Sequence, residues 1–168
     1  MKKSVYLLVG IGMVSWVLGC ASTPLTVAPV GPNPSGTESA AAKGGLRVFS
    51  SLVGRSEGDN PPWYQHTDYS VYDLQGKLVK RVHNTVGHYA QAPRRVILPV
   101  GRYLVKAQAN DYFRVSVPVT IKRGQTTSIH LDDNWKLPAD TPRTELVSLP
   151  DGQPVGWQAD PVKEIGIN

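Results

Sequence analysis

From Phe113 to Ile121 the chain reads Phe-Arg-Val-Ser-Val-Pro-Val-Thr-Ile, with apolar residues at every odd position and none at the even ones. Side chains along a strand point alternately to opposite faces, so this run is a strand with one face on a core and the other in water. Pro118 falls on the outward set and has no N–H to donate to a ladder, which predicts a sheet edge or a bulge at that point. Thr127–Leu131 repeats the pattern with Ile129 and Leu131 inward, and Tyr103, Val105 and Ala107 share a face of the run before. Short joints between the three runs predict a meander.

The joints carry turn chemistry. Asp73-Leu74-Gln75-Gly76 opens with an acid able to accept from the backbone two residues on and closes with a glycine that tolerates positive φ, so it predicts a hairpin. Leu98-Pro99-Val100-Gly101 and Lys122-Arg123-Gly124-Gln125 also end or pivot on glycine between alternating runs. Strands are expected near 46–53, 68–74, 77–83, 94–98, 102–109, 113–121 and 126–131. Seven short strands without helical periodicity predict an all-β domain over 46–132, a seven-stranded antiparallel Greek-key sandwich of immunoglobulin-like architecture.

Both flanks differ in composition. Residues 20–45 are rich in Pro, Gly, Ser, Thr and Ala, with few large apolar side chains to offset ordering entropy, and are expected to form a disordered tether. A flexible chain of that length has an end-to-end distance of roughly 25–30 Å. Residues 133–168 form a Pro-rich extension in which Glu145–Leu149, Pro150-Asp151-Gly152 and Val155–Trp157 have the form of a small hairpin. Docking of that hairpin through Trp157 and a flexible tail both remain open.

At the N-terminus Lys2 and Lys3 precede an apolar run from Val5 to Leu18, a layout of a secretory signal over 1–19. The run is shorter than the roughly 20 residues of a spanning helix. Val17-Leu18-Gly19-Cys20 resembles the bacterial lipobox, with Val17 where leucine is commoner. That resemblance implies lipidation (palmitate among the acyl chains) of Cys20, the only cysteine, and attachment to the membrane through that lipid. By resemblance to lipoprotein sorting signals, in which aspartate after the cysteine retains the protein in the inner membrane, Ala21 implies an outer-membrane, periplasm-facing lipoprotein of a bacterial cell envelope. A single cysteine also excludes an intramolecular disulfide. Without residues 1–19 the chain keeps 16 basic against 13 acidic side chains. Scattered cations with no aromatic-rich basic stripe argue against a nucleic-acid partner.

Tyr69-Ser70-Val71-Tyr72-Asp73-Leu74-Gln75-Gly76-Lys77, Leu98–Ala107 and Val117–Leu131 together resemble the carboxypeptidase-regulatory-like, transthyretin-like β-sandwich domains. The shared features are a D-x-x-G-K turn, an L-P-x-G-x-Y-x-V strand start and a V-x-V-x-I-x-x-G-Q-x-T-x-x-L run, over about 67–132. These motifs fix turns and core positions, so the resemblance implies a fold and no activity. Tyr103 is expected to lay its ring on the core with the hydroxyl near an edge.

No H-E-x-x-H, cysteine pair or G-x-S-x-G occurs. A zinc site would need His66, His83 and His88 to converge from loops, and surface histidines give the same letters. Asp132-Asp133-Asn134 has oxygens for calcium but not the spacing of a dedicated loop. The aromatics Trp63, Tyr64 and Tyr89, at joints, suit stacking on a sugar or a peptide, although Trp63 and Tyr64 equally suit capping the core. The expectation is a protein with no catalytic residue, no metal and no cofactor, presenting a sandwich to an envelope protein or glycan. The alternatives are a carbohydrate- or peptidoglycan-binding module and a small hydrolase using His83 or His88.

Overall fold

The structure, a computed structural model, describes residues 24–33, 42–55, 63–84 and 92–159. Its strands are β1 (Leu25–Thr26), β2 (Val30–Gly31), β3 (Lys43–Phe49), β4 (Leu52–Arg55), β5 (Trp63–His66), β6 (Tyr69–Tyr72), β7 (Leu78–Val82), β8 (Val96–Pro99), β9 (Gly101–Ala107), β10 (Val115–Ile121), β11 (Thr126–His130), β12 (Leu146–Ser148) and β13 (Pro154–Gln158). One turn of 3-10 helix at Arg143–Glu145 is the sole helical element among the described residues. The large sheet runs β12-β13-β2-β10-β9-β6-β7, with β1 also on β10; a second sheet runs β11-β3-β8, and β4 pairs with β5.

The core lies between the two sheets. Val71, Val105, Val117 and Val119 of the large sheet share one buried cluster with Leu46, Val48, Leu98 and Ile129 of the small one. Its largest fully buried side chains are all Val, Leu or Ile, which suit a pleated surface. Seven of the strands, β3 and β6 to β11, fall on the seven expected segments, but the one expected over 46–53 breaks at Ser50-Ser51, and its last residues belong to β4. The Asp73 turn is built as expected: Asp73 Oδ1 accepts from the backbone N–H groups of Gln75 and Lys77 at 3.0 and 2.8 Å, and Gly76 has φ +79°. Tyr103 packs against the core and donates its hydroxyl to Pro99 O at 3.1 Å.

Several expectations are corrected. The sheets are mixed, not antiparallel throughout: β1 and β2 run parallel to β10, and β11 runs parallel to β3. The meander breaks after β10, because the turn at 122–125 carries the chain to the other sheet. There Gly124 N donates to Lys43 O and Gly45 N to Gln125 O. Gly44 sits at this corner, where a Cβ would collide with Lys122 O, so a glycine that reads as linker is a close-packing residue. Residues 20–45 are not a continuous tether: β1, β2 and the start of β3 lie within them, and Val30 is fully buried.

Pro118 lies on an interior strand, between β9 on one side and β1 and β2 on the other. Ser116 O accepts from Val27 N, so polar groups at even positions of β10 face the β1–β2 side. Pro118 faces the break between those two short strands, where no N–H is needed. Phe113 precedes β10 and is 82% exposed, so the inward set starts at Val115. At the other end β12 and β13 form the hairpin and join the large sheet through β13 and β2, with Trp157 opposite Gly31. The domain therefore extends well past residue 132.

Candidate functional site

Polar and aromatic side chains concentrate where β3 and β11 end. The parallel register sets His130 opposite Phe49 on the side of the small sheet away from the core, and the two rings stack with centroids 4.3 Å apart and planes at 14°. Trp135, in the segment after β11, stacks on His130 at 4.4 Å and 7°; Trp157 of β13 meets Trp135 edge-on at 6.2 Å, and His66 of β5 meets Phe49 edge-on at 5.8 Å. The result is a row of five rings across β13, β11, β3 and β5. Aromatics in such offset and edge-on contacts contribute beyond their buried area.

Beside this row lies a hydrogen-bonded cluster. His66, 7% exposed, donates from Nδ1 to Ser50 O at 2.7 Å, a carbonyl being able only to accept. Ser50 Oγ donates to Thr67 O at 2.6 Å and accepts from Asn84 Nδ2 at 3.1 Å, and Asn84 Nδ2 also reaches Val48 O at 2.8 Å. Asn110 accepts from Leu52 N and donates to Asp132 O. Such bonds satisfy the backbone where β3 breaks before β4. Asp68 holds the exit of β7, accepting from Asn84 N at 3.0 Å and contacting His83 Nδ1 at 2.7 Å.

Burial sets the electrostatics. It lowers His130 from its ordinary range to about 4, helped by the nearby His66. The carboxyl of Asp132 is raised by burial, opposed by His66, by backbone N–H bonds and by Asn134. His130 is therefore neutral at pH 7 and stacks as an uncharged ring. Ser50, the hydroxyl closest to these imidazoles in the hydrogen-bond network, already has its proton on Thr67 O. Among the described residues no group of three or more His, Cys, Asp or Glu could hold a metal ion.

The sequence-predicted residues are scattered. Cys20, Tyr89 and His88 lie outside the described residues. Trp63 starts β5 opposite Arg55, and Tyr64, 63% exposed, lies opposite Gly54 with its ring over that glycine. Of the three aromatics proposed to grip a ligand, only Tyr64 has a described side chain. His66 is buried rather than on the surface, while His83 is exposed. Sequence reasoning missed the row of rings, although Phe49 and His130 occupy outward positions of their strands, where an aromatic marks a partner on that face. No helix among the described residues is long and apolar enough to cross a membrane.

No family model, no curated protein and no solved structure matches the chain.

Proposed function

We propose that the chain is a lipid-anchored, non-catalytic protein of the bacterial envelope, held in the outer membrane by acyl chains on Cys20, with its sandwich facing the periplasm. In this reading strands β3 and β6 to β11 form a seven-stranded, carboxypeptidase-regulatory-like Greek key. The observation that carries the proposal is Val17-Leu18-Gly19-Cys20 directly after a charged and apolar leader. The structural roles of His66, Ser50 and Asn84 support it, since those polar atoms are engaged in holding strand ends. Replacing Cys20 by serine is expected to abolish both acyl incorporation and cleavage between Gly19 and residue 20. Processing at the same bond in the serine variant would overturn the proposal.

A glycan-binding reading draws on Tyr64, whose ring lies beside Gly54 and is largely exposed, as an aromatic that stacks on a sugar must be. Titration with cell-wall glycans is then expected to perturb fluorescence of the wild type and not of Tyr64→Ala; an identical response in both sets the reading aside.

A further inference from the structure

Among the described residues no strand contains Asp or Glu, and acids such as Asp73, Asp111, Asp133 and Asp151 lie in the turns and joints. On the outer face of the large sheet this leaves cations without interleaved acids. Arg81, Ser70 and Lys106 are register partners across β7, β6 and β9, forming one row. The next row is apolar and aromatic: Leu78, Tyr72, Leu104 and Pro118 are partners across β7, β6, β9 and β10. A bulge in the β6–β7 ladder lets both Leu78 and Arg81 face outward although they are three residues apart. Beyond the apolar row comes Arg102, about 14 Å from Lys106 along β9 at ~3.4 Å per residue. Arg81, Arg102 and Lys106 are exposed, Leu78 is 44% exposed, and Lys106 Nζ lies 4.8 Å from the centre of the Tyr72 ring.

We infer that this face docks on an anionic phospholipid surface, with the row of Leu78, Tyr72 and Leu104 against the interface and Arg81, Lys106 and Arg102 on lipid phosphates. An apolar band bordered by cations is the pattern that combines shallow burial with attraction to acidic headgroups. The orientation deepens the proposed function and rests on its lipid at Cys20. Cys20 lies only five residue steps before Leu25, which pairs with Val115 of β10 in the same sheet. Five residues span at most about 17 Å, so an acylated Cys20 keeps the sandwich against the bilayer. Phe113, two residues before Val115, presents its ring to solvent at that end of the sheet.

The test uses the chain from residue 20 with Cys20→Ser, which retains every described residue and carries no lipid. It is sedimented with vesicles of phosphatidylcholine alone or containing about one-third phosphatidylglycerol, at low and physiological salt. Binding is expected only with phosphatidylglycerol and to weaken with salt. Arg81→Gln, Arg102→Gln and Lys106→Gln should each lower partitioning about five-fold, and the triple variant on the order of a hundred-fold. Phe113→Ser should weaken it further, and Lys43→Gln on the small sheet should leave it unchanged. Equal binding to neutral vesicles, or no effect of the triple variant, overturns the inference. Release by a soluble acidic polysaccharide that binds as tightly as the vesicles overturns it in favour of a glycan surface. Because the assayed chain has no acyl group, a missing lipid on Cys20 would appear in the mass of the native protein and not in this assay.

Discussion

At the end of the small sheet His66, Ser50, Asn84 and Asn110 all give polar atoms to partners inside the fold, whereas on the outer face of β6, β7 and β9 the cations Arg81, Arg102 and Lys106 extend into solvent. Both regions are rich in polar and aromatic side chains, but only the first is consumed by architecture. The cluster closes the break between β3 and β4, so removing its members should cost stability. The open face holds little of the fold together, so its members should be replaceable without unfolding.

Disturbing the core that underlies both regions should have the largest effect. Val117→Asp places an unpaired charge at a fully buried position of β10 and is expected to cost about 5 kcal/mol or more, comparable with the whole stability of a marginal domain. Chemical denaturation of the variant should show no cooperative transition; a melt like the parent's would contradict the assignment of faces. Next, Asn84→Ala leaves Val48 O and Ser50 Oγ without their partner and should lower stability by about 2 kcal/mol in urea unfolding. A loss below about 0.5 kcal/mol would place the cluster with the dispensable surface.

The pH dependence separates the regions further. His130 is lowered to about 4 in the fold, so between its ordinary 6.5 and that value the unfolded chain binds the extra proton. Stability should fall as pH drops through this window, by about 2 kcal/mol after solvent screening, and be independent of His130 above it. Asp132, raised by burial, acts in the opposite sense, because its protonated form favours the fold. Thermal melts of His130→Phe should show the acid-side slope flattened; an unchanged slope would mean that the ring is not shielded. Asp73→Ala removes the acceptor for two backbone N–H groups and should cost about 1 kcal/mol. The smallest effects belong to the open face, where Arg81→Gln and Lys106→Gln should stay within about 0.5 kcal/mol of the parent.

What the chain reveals before folding divides along the same line. Alternation and turn residues are local signals, and they locate β3, β6 to β11 and the Asp73 hairpin because each is set by neighbours within a few residues. β1 and β2 leave no such signal: two-residue strands are too short for a period, and Val30 is buried by β10 and β13 instead of by its own segment. Gly44 reads as flexibility and acts as a contact, since only the fold reveals Lys122 O against it. Parallel pairing of β3 with β11 joins residues about 80 apart, so the facing of Phe49 and His130 is invisible until the register is known. Tyr103 was legible in its core contact, while His66 was not, because its burial depends on Phe49 of β3 and on Ser50 in the break after it.

The central claim, that this sandwich is moored to a bilayer through one sulfur, is tested most directly by the intact mass of the protein extracted from membranes with detergent. The account predicts a chain that begins at Cys20 and carries the added mass of acyl chains on that residue. A mass equal to the unmodified polypeptide, or an N-terminus at any other residue, would contradict it.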